Sequence, residues 1–235
     1  MNYYYKSPYI CHANTTINWL PMDTEDLYYE NLSKNYELLR YHNWLDKKIN
    51  YTFNSEGFRC EDFNEEPSIV FLGCSYTVGI GLPIEYTWAH MVSEKLKLKC
   101  YNLGIGGSSC DTAFRLGYHY INKIKPKMVI FLRPSPNRME AINKDYPEPV
   151  IHMGLYQKLV ANVNSYEFHY HSDDDNGLLN TAKNTLSLNF VCSQLNIKFH
   201  YFDIDKLPKL DLARDLGHIG FKSNSEFANK VLSVI

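Results

Sequence analysis

From Pro67 onward the chain alternates short apolar runs with amphipathic stretches, and this alternation constrains its fold more than any other feature. The runs Ile69-Val-Phe-Leu72, within Ser68–Cys74, and Met128-Val-Ile-Phe-Leu132 contain no polar residue. A strand with one wet face shows alternating polarity, whereas a strand covered on both faces reads as an unbroken apolar run. Cys100–Leu103 and Ile197–Phe202 are predicted as two further strands. Helices are predicted over Thr87–Leu98, Cys110–Ile124, Asp173–Leu195 and Ser223–Val234. Trp88, Met91, Val92 and Leu96 share one side of the first, Pro126 closes the second, and the acidic start of the third suits the positive end of the helix dipole. Strand–helix alternation of this kind predicts a parallel sheet with helices on both faces. In such sheets, sites form beyond the carboxyl ends of the strands.

The first 65 residues follow a different pattern. They are rich in Tyr, Asn and Trp, and one helix is predicted from about Thr24 to Trp44. Asp23 and Thr24 can cap its start, and Leu27, Leu32, Tyr36 and Leu39 form its apolar stripe. Tyr51–Arg59 alternates like a short strand and breaks at Gly57. The expected organisation is an N-terminal helical and aromatic extension over residues 1–65, packed on a main domain over residues 66–235. Residues 138–172 lack a clear period and are expected to be an insertion over the strand ends.

Composition excludes several function classes. The net charge of −2 and the absence of a Lys/Arg cluster argue against nucleic acid as a partner. No stretch approaches the roughly 18 apolar residues of a membrane span, and the first residues lack the apolar core of a signal peptide. The six cysteines are scattered without a C-x-x-C pair, as expected of a reduced, cytoplasmic protein with no structural zinc. Gly104-Ile-Gly-Gly107 is not a complete dinucleotide fingerprint, and no phosphate-binding P-loop is present, so no cofactor is expected. His169, His171 and Asp173–Asp175 could be arranged around a metal, but a surface segment leading into an acidic helix cap explains them better.

Three expected strand ends carry chemistry. The first strand runs through Gly73-Cys74 directly into Ser75, whose hydroxyl is then exposed and whose own N–H can face a developing oxyanion. The second ends in Gly104–Gly107, and the third in Arg133-Pro-Ser135-Pro-Asn137-Arg138. Near the C-terminus, Asp215-Leu-Gly-His218 places a carboxylate and an imidazole three residues apart before the last helix. Nucleophile, base and orienting acid are the set that acyl transfer needs.

Gly73-Cys-Ser75, Asn102-Leu-Gly-Ile-Gly-Gly107-Ser and Asp215-Leu-Gly-His218 resemble the first, second and last blocks of the SGNH (GDSL-like) hydrolases, and Asn54–Arg59 is similar to a segment often found before the first block. The resemblance covers roughly residues 50–235. It implies a flavodoxin-like, three-layer α/β/α sandwich acting on a small-molecule or glycan ester. It further implies Ser75 as nucleophile, His218 as base, Asp215 as the acid that orients it, and the Ser75 and Gly107 N–H groups as oxyanion donors. The third block departs from the family's Gly-x-Asn-Asp, so Ser135 or Asn137 is left as the third donor, and Arg133 or Arg138 could bind an anionic part of a substrate. An acetyl-type ester hydrolase is the expected activity. An O-acyltransferase and a weakly active or inactive binding module are its rivals.

Overall fold

The computed structural model describes residues 5–142, 150–153 and 174–235. Four parallel strands form the central sheet: β3 (Ser68–Leu72), β4 (Lys99–Asn102), β5 (Met128–Arg133) and β8 (Lys198–Asp203). Their order is β4-β3-β5-β8, with Ile69 opposite Met128 and Met128 opposite Lys198. All five residues of β3 are buried, which is why its sequence shows no alternation.

The layers follow from strand geometry, since successive side chains point to opposite faces. Val70, Leu72, Val129 and Phe131 pack with Leu116, Ile121, Leu188 and Cys192, under helices α5 (Cys110–Ile124) and α6 (Asp174–Gln194). Ile69, Phe71, Ile130 and Leu132 pack with Trp88, Val92, Phe227 and Val231, under α4 (Trp88–Leu96) and α7 (Phe221–Leu232). This is the expected three-layer α/β/α arrangement. Burying each Phe, Leu or Ile contributes roughly 1.5–3 kcal/mol relative to exposure, so these two apolar layers hold the strand ends in place.

The N-terminal region differs in detail from the sequence reading. The single predicted helix is two, α1 (Glu25–Lys34) and α2 (Tyr36–Tyr41), broken at Asn35. Asn35 has non-helical backbone angles (φ −129°, ψ 29°), and its backbone N–H closes the first helix on the Asn31 carbonyl at 2.7 Å. The predicted strand shrinks to β2 (Tyr51–Thr52), paired antiparallel with β1 (Thr16–Ile17). It stops because Asn54 Oδ1 accepts the N–H groups of Glu56 and Phe58, closing a turn with Gly57 at φ +75°. Leu20, Leu39, Trp44, Ile49, Tyr51 and Phe53 pack on Val78, Ile80, Leu82 and Ala213 in a third apolar cluster.

Within the expected insertion, β6 (Met139–Ile142) and β7 (Val150–Met153) form an antiparallel hairpin. The buried Arg115–Glu140 ion pair fastens this hairpin to α5. Residues 143–149 and 154–173, which include His169 and His171 of that insertion and Asp173 after it, lie outside the described residues. No described helix is long and apolar enough to cross a membrane.

Candidate active site

Strand β3 passes into α3 (Ser75–Val78) through a turn that only glycine can make. Gly73 has φ +153°, and a Cβ there would sit 2.2 Å from Thr77 Oγ1 and 2.8 Å from the Leu132 carbonyl oxygen. Cys74 follows in an extended conformation, and its carbonyl accepts the N–H groups of Thr77 and Val78 at 2.9 and 3.0 Å. Ser75 is therefore the first residue of the helix and only 6% exposed. Neither its N–H nor its hydroxyl is tied to a described group. Donor and potential nucleophile are both uncommitted.

The acid and the imidazole are supplied by the loop before α7. Leu216 takes φ +55° and donates its N–H to the Ala213 carbonyl at 2.9 Å, which folds Asp215-Leu-Gly-His218 back on itself. A leucine in the left-handed region costs energy and persists only where the surroundings over-determine it. In return, Asp215 Oδ1 accepts the N–H groups of Gly217 (3.3 Å) and His218 (3.1 Å), and Oδ2 contacts His218 Nδ1 at 2.5 Å. An ionised carboxylate only accepts, so Nδ1 is the donor and the Nε2 lone pair is free to act as a base. Asp215 and His218 are 6% and 8% exposed. The ring of Tyr76, the residue after Ser75, meets the His218 ring edge-on at 5.0 Å. No hydrogen bond joins Ser75 to His218, although Tyr76 brings the two loops into contact. Catalytic hydrogen bonds are often long in unliganded sites and tighten around substrate.

The second strand end is tied to the first by Asn102, whose Nδ2 donates to the Thr77 carbonyl at 2.6 Å and whose Oδ1 accepts the Gly104 N–H at 3.0 Å. Gly107 has φ +72°, open space where a Cβ would point, and no described acceptor for its N–H. The neighbouring Gly106 N–H is taken by Tyr9 Oη at 2.8 Å.

At the third strand end the candidate residues diverge. Arg133 Nε donates to Asp203 Oδ1 at 2.7 Å, and its guanidinium lies 4.3 Å over the Tyr201 ring, where it walls a cavity of about 430 Å³ between α6 and β8. Arg138 turns the other way, with Nη1 3.5 Å from the Ser108 carbonyl, beside Gly107. Ser135 closes the turn by accepting the Arg138 N–H through its carbonyl at 3.2 Å. The Oδ1 of Asn137 is buried without a hydrogen-bond partner among the described residues. The loop is pressed against Gly177 of α6, whose missing Cβ leaves room for the Pro136 carbonyl. Among the described residues no group of three or more His, Cys, Asp or Glu is placed to hold a metal ion.

Sequence reasoning missed the residues that hold these loops. Arg59 is wholly buried and donates to the carbonyls of Asn50, Val78, Gly79 and Leu82 at 2.7–3.2 Å, clamping the segment that leaves α3. Arg214 donates to Asp23 through Nε (3.0 Å) and Nη2 (2.7 Å), with side chains 3% and 1% exposed. Each partner sits far away in the sequence, and no local spacing marks it. The one available signal was Arg59 itself, in the segment similar to one that precedes the first SGNH block.

The three-layer fold, with Ser75, Gly107 and the Asp215–His218 pair beyond the sheet, can be set beside known proteins. It resembles solved GDSL-type esterases. A lipolytic protein of the G-D-S-L family from Desulfitobacterium hafniense DCB-2 is 12% identical with TM-score 0.39, over 73% of this chain and 100% of that one. The psychrotrophic esterase EstA from Pseudoalteromonas sp., inhibited by monoethylphosphonate, is 16% identical with TM-score 0.37, over 71% and 94%. A carbohydrate acetylesterase family member from Sinorhizobium meliloti is 11% identical with TM-score 0.36, over 71% and 96%. No family model matches the chain, and no curated protein matches it.

Proposed function

We propose that this protein is a serine ester hydrolase acting on small O-acyl esters, with an acetyl group on a carbohydrate as the preferred substrate class. The observation that carries the reading is the Asp215–His218 pair, oriented by three hydrogen bonds and packed through Tyr76 on the turn bearing an uncommitted Ser75. His218 Nε2 takes the Ser75 proton as Oγ attacks the ester carbonyl, while Asp215 holds the Nδ1–H and stabilises the imidazolium. The tetrahedral oxyanion is received by the Ser75 and Gly107 N–H groups. Collapse expels the alcohol, which takes the proton from His218. A water deprotonated by the same Nε2 then attacks the acyl-enzyme, and the acid leaves with Ser75 restored.

Purified protein is expected to release 4-nitrophenol from 4-nitrophenyl acetate, and Ser75→Ala to lose that activity. Hydrolysis that survives Ser75→Ala at the wild-type rate would refute the mechanism. Asn137 is taken as the third donor over Ser135 because its amide carries two N–H groups where the hydroxyl carries one, and no described group engages either side chain. Asn137→Ala is expected to lower kcat by about 10²–10³-fold, the effect of removing one oxyanion donor, with Ser135→Ala close to wild type. The reverse order would move the assignment to Ser135.

A further inference from the structure

The N-terminal region, residues 1–65, carries a bridge between the two halves of the proposed active site. Tyr51 is fully buried, and its hydroxyl sits between two partners. It accepts the N–H of Gly81 at 2.8 Å and donates to Asp23 Oδ2 at 2.5 Å. Gly81 belongs to the segment that leaves the Ser75 helix. Asp23 in turn holds Arg214, the residue immediately before Asp215. Arg214 closes the circuit, because its own backbone N–H donates to the Gly81 carbonyl at 3.1 Å. Two more of its guanidinium hydrogens go to the carbonyls of Asn18 (3.0 Å) and Lys47 (3.3 Å), and its Cζ lies 4.0 Å from the centre of the Trp19 ring.

We propose that Tyr51, Asp23 and Arg214 are positioning residues that set the Ser75 turn and the Asp215–His218 loop in register. None of them touches the reacting atoms. The inference rests on the esterase reading only for the chemistry that the register serves. Two further observations fit it. The space between the loops is fully used, since a Cβ on Gly81 would sit 3.0 Å from Asp215 Oδ1 and 2.9 Å from Ala213 Cβ. A second strut from the same N-terminal region runs parallel to the first, with Trp44 Nε1 donating to the Leu212 carbonyl at 2.8 Å. A closed loop of charge-assisted bonds with little exposure fixes geometry far better than a surface contact. Groups one shell removed from a reacting centre typically matter by 10–100-fold.

The test pairs a mild variant with a severe one. Tyr51→Phe removes only the bridging hydroxyl, and Asp23→Asn removes the charge that holds Arg214. Both are compared with wild type at a temperature where thermal melts show each protein folded. Labelling of Ser75 by a fluorophosphonate probe is expected to slow by about 10-fold in Tyr51→Phe and about 100-fold in Asp23→Asn, and kcat for 4-nitrophenyl acetate to fall in parallel with KM within about twofold. A purely structural role predicts lower melting temperatures but wild-type labelling per folded molecule, and that outcome overturns the proposal. The His218 Nδ1–H proton resonance, assigned by its loss in His218→Gln, reads the same geometry without any substrate. It is expected to shift or broaden in both variants, and an unchanged resonance also overturns the proposal. If the wild type neither labels nor hydrolyses, the esterase reading falls alone and the resonance decides the register.

Discussion

His218→Gln is expected to reduce kcat/KM for 4-nitrophenyl acetate by at least about 10³-fold while leaving the protein folded. Glutamine approximates the volume of imidazole but offers no base near neutral pH, so Ser75 keeps its proton. The imidazole's described polar and ring partners are Asp215 and Tyr76, and a near-isosteric replacement should change stability by no more than about 1–2 kcal/mol. Residues that act as one unit are strongly non-additive. The Ser75→Ala/His218→Gln double variant is therefore expected to be no slower than Ser75→Ala. Steady-state kinetics on the three proteins, with thermal melts, measure this. An additive double variant would mean that Ser75 and His218 serve separate steps.

The largest stability effect is expected at Arg59. Its guanidinium sits in the interior against four carbonyl oxygens, 4.3 Å over the Tyr51 ring, and among the described residues no carboxylate is paired with it. Burial pulls its pKa down to about 10, which still leaves it charged at neutral pH, held by backbone dipoles instead of a counter-ion. Arg59→Met fills much of the volume but strips the carbonyls of Val78, Asn50 and Leu82 of their described donor and leaves Gly79 with the Leu82 N–H alone. Stranded buried polar groups cost about 1–3 kcal/mol each, and some will find water. A destabilisation of about 3 kcal/mol or more is expected from urea unfolding. Arg59→Lys should recover little, because one ammonium cannot span carbonyls on both sides of the loop as the planar fork does. A variant that unfolds at the wild-type midpoint would show that the clamp carries no stability.

The central sheet was legible in the sequence because its physics is local. Ile69–Leu72 and Met128–Leu132 are apolar on both faces, and only a covered strand can be. Asp215 and His218 were legible as a pair because three residues and a glycine suffice to fold one onto the other. The break at Asn35 was missed because the apolar stripe continues through it, while the backbone angles of one residue end the helix. The strand expected over Tyr51–Arg59 failed for a related reason, since Asn54 captures two backbone N–H groups that a sheet would have used. Arg59, Asp23 and Arg214 were illegible for a different reason. A buried Arg looks like any surface Arg until the carbonyls or carboxylate that receive it are known, and those lie across the fold.

Asp23 and Arg214 are separated by 191 positions along the chain, and this carries a consequence for how the protein is made. During synthesis Asp23 must wait for its cation until a further 191 residues have been translated. A carboxylate cannot enter the interior unpaired, so the N-terminal region stays open until the Arg214 loop arrives. Late contacts of this kind are slow to form and leave the partly made chain exposed in the meantime. The same delay has a protective side. A nascent chain that displays Ser75 has no organised imidazole beside it, so under the proposed mechanism reactivity waits until the Arg214 loop has docked.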